Sequence, residues 1–256
     1  MEQKLKNLAK KHLPHVYEKL RPIYRTAGSR IFAGNLTALA NIYGSDKWRS
    51  HWYIPHYEKH FKNLRTKELK ILEIGVGGYE DPNAGGESLR MWKYYFPKSQ
   101  IYSIDIHEKS SIEEHRIKIF RGSQNDPDFL RKVVEQIGGL DIVIDDGSHI
   151  NEHVIASFRT LFPLLADGGI YTIEDTQTSY WPKFGGDSYD LNSPNTIMSF
   201  LKALTDKLNY EEIARKDYQP FYLDRNIVSL HFYHNLVFIY KGKNEEGSNL
   251  VHEHIY

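Results

Sequence analysis

Cysteine is absent from all 256 residues. That excludes a disulfide scaffold, a thiolate zinc site, an iron–sulfur cluster and a Cys nucleophile. No apolar run reaches the roughly 18 residues that a membrane-spanning helix needs. The start, MEQKLKNLAKKH, has no apolar centre of the kind a signal peptide carries, so a cytoplasmic setting is expected. Charge of one sign is also missing: 33 basic residues face 33 acidic ones. A balanced chain does not concentrate the local basicity that phosphate backbones require, so nucleic acid is not expected as a partner. What is present is a globular composition, 40% apolar and 13% aromatic, with enough chain to bury a sizeable core.

Residues 1–25 carry seven Lys and Arg (Lys4, Lys6, Lys10, Lys11, Lys19, Arg21 and Arg25) against Glu2 and Glu18. Leu5, Leu8, Leu13, Val16 and Leu20 recur at roughly helical spacing, with Pro14 as an interruption. The segment reads as an amphipathic helix docked on the domain; attachment to an anionic membrane is the alternative. A helical extension is expected over 1–66.

From residue 67 short apolar runs alternate with helical stretches. LKILEIG (69–75), QIYSIDI (100–106), IKIFRG (117–122), DIVIDDG (141–147) and GIYTIED (169–175) read as buried strands. Helices are expected at 88–96, 128–137 and 151–165. NIVSLHFYHNLVFIYKG reads as a hairpin turning at His234–Asn235. The pattern predicts an α/β, Rossmann-like fold over 67–256: a seven-stranded, mostly parallel sheet with one antiparallel strand in a C-terminal hairpin. The segment 176–195 is too long for an ordinary connection and is expected to be a lid or substrate loop.

In such sheets ligands bind beyond the carboxyl ends of the strands. The first strand ends Glu73-Ile-Gly75-Val-Gly77-Gly78, where glycines admit a ligand close to the backbone. Asp105 closes the second strand, where a carboxylate can accept from both ribose hydroxyls. Together they suggest an adenosine-bearing cofactor. Two details favour S-adenosylmethionine over a nicotinamide dinucleotide. Glu73 could hold a methionine amino group, and the long turn after Gly78 does not suit a pyrophosphate. The acids Asp145, Asp146, Glu174 and Asp175 end neighbouring strands, about 4.8 Å apart, and should converge. Carboxylates so clustered call for a cation, and oxygen donors favour Mg²⁺. His149 follows three residues after Asp146 and is a candidate general base, since histidine titrates near neutrality. A rival reading takes His149-Ile-Asn-Glu152-His153 as an inverted zinc-hydrolase signature.

The segments YGSDKW (43–48), HWYIPHYEKHF (51–61), LEIGVGG (72–78), GGESLRMW (85–92), IDDGSH (144–149) and IEDTQTSYWPKFGG (173–186) together resemble the metal-dependent sugar O-methyltransferases that act on macrolide antibiotics, within the class I S-adenosylmethionine-dependent methyltransferases. The resemblance spans roughly residues 36–241. It implies that Asp146, Glu174 and Asp175 hold Mg²⁺ and that His149 is the base. It also implies that Glu73, Gly75, Gly77, Asp105 and Asp145 surround the cofactor, with Ser88 and Gln124 beside them and Ser45 and Lys47 closing over its methionine end. The acceptor is expected to be a small molecule or saccharide, methylated on a sugar hydroxyl. A homo-oligomer is left open. Only residues 1–66 precede the first strand, so the large N-terminal auxiliary domain of the macrolide enzymes is not expected.

Overall fold

The computed structural model describes residue 12 and residues 14–248; most of the basic segment's charge, at residues 1–11, lies outside them. The described chain divides into two compact units. One runs up to Lys67 and takes in Glu87–Lys98; the other comprises Glu68–Gly86 and the chain from Ser99 onward.

The first unit is helical: α1 (Pro14–Ile31), α2 (Leu36–Tyr43), α3 (Ile54–Phe61) and α4 (Glu87–Tyr95). The described part of α1 begins at Pro14, and residue 13 beside it lies outside the described residues. Asn35 caps α2, its Oδ1 accepting from the Ala38 N–H at 2.8 Å. Arg25 donates to the Tyr43 carbonyl at 2.9 Å and Ser29 to the Tyr43 hydroxyl at 2.8 Å, tying α1 to α2. Trp92, fully buried, lies edge-on to Tyr57 and Phe61 with ring centroids 5.0 and 5.9 Å away. Large rings packed in this way dominate the apolar burial of a small unit.

The second unit is built on the expected sheet: β1 (Lys70–Ile74), β2 (Gln100–Asp105), β3 (Ile117–Arg121), β4 (Leu140–Asp145), β5 (Leu165–Glu174), β6 (Ile227–Tyr233) and β7 (Leu236–Lys241). Its order is β3-β2-β1-β4-β5-β7-β6. β7 runs antiparallel to both of its neighbours, β5 and β6, and the other pairings are parallel. The hairpin turns where expected, with Asn235 in the left-handed region at φ 61°; asparagine tolerates that conformation better than most residues. The order reverses between β1 and β4, so the carboxyl ends of those strands open onto a crevice.

Side chains alternate across a strand, and the register fixes which go where. Ile74 pairs with Asp145, which pairs with Ile173, so all three face one side. That side is the core. Leu72, Ile74, Val143, Tyr171, Ile173, Val237 and Ile239 pack there against α5 (Pro127–Ile137), α6 (Asn151–Leu161) and α7 (Ile197–Leu208). Asp126 caps α5, accepting from the N–H groups of Asp128 and Phe129 at 3.0 Å each, and Pro127 opens its first turn. α6 stops at Leu161, short of the expected 165, because a 3₁₀ turn containing Pro163 takes over and proline cannot continue the ladder. A short α8 (Tyr222–Asn226) leads into β6. Among the described residues no helix is long and apolar enough to cross a membrane.

Phe158 stacks on Phe162 and meets Tyr171 and Phe200 edge-on, at centroid distances of 4.8–5.2 Å, with no exposure. Phe158→Ala should therefore cost about 3–5 kcal/mol in urea unfolding, as for large buried aromatics generally; a loss below about 1 kcal/mol would show that this cluster is not the core of the unit.

Candidate active site at the tips of β1, β4 and β5

The chain leaves β1 through Gly75, Val76, Gly77 and Gly78. Gly75 has φ 96°, and a Cβ there would lie 2.3 Å from the Asp146 carbonyl oxygen, so the β1 and β4 turns are pressed together at that point. Gly77, at φ 77°, differs: a Cβ there would meet nothing nearer than Gly85 Cα at 4.0 Å. Its backbone borders open space of the kind a ligand can enter. Asp105, at the tip of β2, accepts from the Val76 N–H at 3.0 Å through Oδ2 and from the His107 N–H at 2.8 Å through Oδ1. The carboxylate is thereby fixed beside the glycine turn. The loop beyond is held by Lys109, whose Nζ donates to the carbonyls of Asp81 (2.7 Å) and Ala84 (3.1 Å) while 1% exposed.

At the tips of β4 and β5 polar atoms converge in two overlapping groups. Asp146, His149 and Asp175 form one, and Glu73, Asp146 and Glu174 the other; within each, one ligand atom per residue lies within 4.8 Å of the others. His149 Nε2 is 4.0 Å from Asp146 Oδ1 and 3.8 Å from Asp175 Oδ2. Both His149 (φ 56°) and Asp175 (φ 54°) adopt left-handed backbone. Non-glycine residues pay about 1 kcal/mol or more for that, a cost that tends to be met where side chains must be aimed. Asp146 belongs to both groups, Glu174 to one and Asp175 to the other. Carboxylate oxygens, with an imidazole beside them, form a donor set that suits a hard divalent ion.

Asp145 does not join them. Strand alternation turns it to the core side, where it is 1% exposed and accepts from Gln124 Nε2 and Tyr171 Oη at 3.2 Å each. The fourth acid is instead Glu73, which faces the same side as Ile144 and is fully buried. Gln124 reaches the base of the same turn from the β3–α5 connection. Ser45 and Lys47, 4% and 1% exposed, lie in the turn after α2, and Ser88 lies in the first turn of α4; all three belong to the first unit. The zinc-hydrolase reading fails on local geometry. His149 precedes α6 rather than sharing a helix face with His153, whose Nδ1 lies 3.1 Å from Ser148 Oγ.

Residues 176–195 form two 3₁₀ turns, Thr176–Tyr180 and Pro182–Phe184, followed by an exposed stretch. Asn151 ties them down. Its Nδ2 donates to the carbonyls of Thr178 (3.0 Å) and Phe184 (2.8 Å), and its Oδ1 accepts from the Ile197 N–H at 2.7 Å. Trp181 and Tyr189 are left exposed, Tyr189 almost completely. Asn151, Lys109 and Tyr171 were not singled out in the sequence, since nothing in their spacing marks them. The hydrogen bonds of Asn151 join residues 27 to 46 positions apart.

The sheet order with one reversed strand, and a glycine turn facing acidic strand tips across the switch point, define the class I methyltransferase fold. Residues 27–220 match the family described as Rhamnosyl O-methyltransferase/CmcI, and the chain belongs to that family. It is 49% identical over 223 residues to demethylmacrocin O-methyltransferase of Streptomyces fradiae, covering 86% of this chain and 56% of that protein. It is 48% identical over 215 residues to mycinamicin VI 2''-O-methyltransferase of Micromonospora griseorubida, covering 83% and 54%. Among solved structures it is similar to the MycE methyltransferase from the mycinamycin biosynthetic pathway in complex with Mg, SAH and mycinamycin VI, with a TM-score of 0.80 and 48% identity over 83% of this chain and 55% of that one. The chain thus spans a little over half the length of these relatives.

Burial raises the Asp145 carboxyl from the usual 3.8 to about 7, opposed by hydrogen bonds from Tyr171, Gln124 and Ser157. A carboxyl whose folded pKa is raised favours folding most below its unfolded value, and that contribution is lost as pH rises through the folded one. Relative to Asp145→Asn, wild type should therefore lose stability between about pH 4 and pH 8, by up to roughly 4 kcal/mol in urea titrations. A difference that stays flat across that range would show Asp145 to be ionised without penalty.

Proposed function

We propose that the chain is an S-adenosylmethionine- and Mg²⁺-dependent O-methyltransferase that methylates a hydroxyl of a sugar on a glycosylated small molecule. The observation that carries this reading is the convergence of Asp146, His149 and Asp175 beside the open backbone of the β1 glycine turn. The activities for which the relatives are named and the contents of the MycE complex support it. The expected cytoplasmic setting and small-molecule partner belong to the same reading.

In this reading Asp146, Glu174 and Asp175 hold the ion, and Gly75, Gly77 and Asp105 line the cofactor's place, with Glu73 contributing to its methionine end. When bound, the ion supplies Lewis acidity to an acceptor hydroxyl and the sulfonium cofactor supplies an electrophilic methyl group. His149 takes the hydroxyl proton at Nε2. Asp146 Oδ1 and Asp175 Oδ2 lie 4.0 and 3.8 Å from that nitrogen and hold the ring beside the ion's place. No covalent bond to the protein is needed, so positioning and electrostatics carry the acceleration. The aromatic stretch with Tyr180, Trp181, Phe184 and Tyr189 offers ring faces for a sugar and excludes water.

Incubation with S-adenosylmethionine, Mg²⁺ and a panel of glycosylated acceptors that includes mycinamicin VI and demethylmacrocin should yield a product heavier by one methylene. EDTA should abolish that product and added Mg²⁺ restore it; undiminished turnover in chelator would refute the metal's part. His149→Ala should lower turnover by roughly 10²-fold or more while binding of S-adenosylhomocysteine, followed by calorimetry, persists. Normal turnover in that variant would remove His149 from proton transfer.

A further inference from the structure

The Asp146-Gly147-Ser148-His149 turn holds a proposed metal ligand at one end and the proposed base at the other, and His149 sits in left-handed backbone. Something must keep that turn in place. One side chain in contact with it arrives from the far end of β3, with β2 and β1 lying between that strand and β4. Gln124 follows β3, at the edge of the sheet, and its Oε1 accepts from the Ser148 N–H at 2.6 Å. Its Nε2 donates to Asp145 Oδ1 at 3.2 Å and to Ser157 Oγ at 2.9 Å. Ser157 in turn donates to the His153 carbonyl at 2.7 Å within α6. The contact is close: a Cβ on Gly147 would lie 2.1 Å from Gln124 Oε1 and 2.7 Å from Ile74 Cγ2.

A primary amide has two N–H donors. Both of Gln124's are committed inside the protein, and the residue is only 7% exposed. No N–H remains for the edge of a cofactor base. We infer that Gln124 is a positioning residue that braces the Asp146–His149 turn, fixing the orientation of Asp146 toward the ion, and that it does not read the cofactor. The inference rests on the proposed role of Asp146 as a metal ligand. It reverses the expectation from the family resemblance that Gln124 neighbours the cofactor.

Two binding titrations separate the roles without any acceptor. Wild type, Gln124→Met and Gln124→Glu are titrated with Mn²⁺, read by the resonance signal of the free ion, and with S-adenosylhomocysteine by calorimetry. Methionine keeps the length of the side chain and removes its hydrogen bonds; glutamate keeps an oxygen for the Ser148 N–H. In Gln124→Met the Mn²⁺ affinity should fall about tenfold or more, the usual cost of removing a group that orients a ligand, with a smaller loss of S-adenosylhomocysteine affinity. Gln124→Glu should recover part of the Mn²⁺ affinity. An unchanged Mn²⁺ affinity in Gln124→Met, or a cofactor loss at least as large as the metal loss, overturns the assignment. Should Gln124→Met fail to fold, Gln124→Glu decides: a cofactor loss below about fivefold, less than one hydrogen bond's worth, supports the brace, and a larger loss overturns it. Wild type that takes up no Mn²⁺ defeats the metal reading and this assignment with it, whereas equal uptake by wild type and Gln124→Met defeats this assignment alone.

Discussion

Carboxylates gathered within 4.8 Å of one another at the ends of β4 and β5 set the terms for the rest of the second unit. Coulomb repulsion between like charges grows as the inverse of distance and is strengthened where water is excluded. The chain nevertheless invests strained backbone at His149 and Asp175 to bring these groups together. An arrangement that opposes both electrostatics and backbone preference is best explained by a counter-charge that the cluster receives in use. The topology supplies the location, because the strand order reverses between β1 and β4 and leaves their carboxyl ends uncovered by any crossover.

Much of the fold was legible in the chain, for definite physical reasons. Buried parallel strands need continuous apolar runs, and those at 69–75, 100–106 and 141–147 could be delimited because polar or glycine residues end each one. The hairpin was legible at His234–Asn235 for the same reason. α7 was not foreseen: Ile197, Leu201 and Leu204 have helical spacing, but they follow a long irregular stretch that drew attention to its aromatics. The division into units was also hidden. Glu87–Lys98 lies in sequence between β1 and β2 yet groups with the N-terminal helices, a consequence of aromatic packing around Trp92 that no local pattern announces.

The acidic tips illustrate how far residue reading reaches. Asp145 ends β4 and Asp146 follows it, and both were expected to join Glu174 and Asp175. The period-two geometry of a strand allows only one of them to do so. Asp146 faces the cluster, while Asp145 turns into the core and meets Tyr171 and Gln124. Which aspartate takes which side depends on the register with Ile74 and Ile173, and register is a tertiary fact. The same holds for Gln124 and Asn151. Each satisfies backbone groups of a turn far away in sequence, and each buries its amide to do so, Asn151 securing the 3₁₀ turns after β5 and Gln124 the turn after β4.

The proposed chemistry turns on whether Asp146, Glu174 and Asp175 enclose an ion. Crystals grown with S-adenosylhomocysteine and MnCl₂, with diffraction recorded at the manganese absorption edge, would show this directly. One strong anomalous peak is expected about 2.0–2.3 Å from oxygens of all three residues, in the range of hard divalent ions on oxygen ligands. Fully ordered side chains with no peak among them, or a manganese ion bound elsewhere, would contradict it.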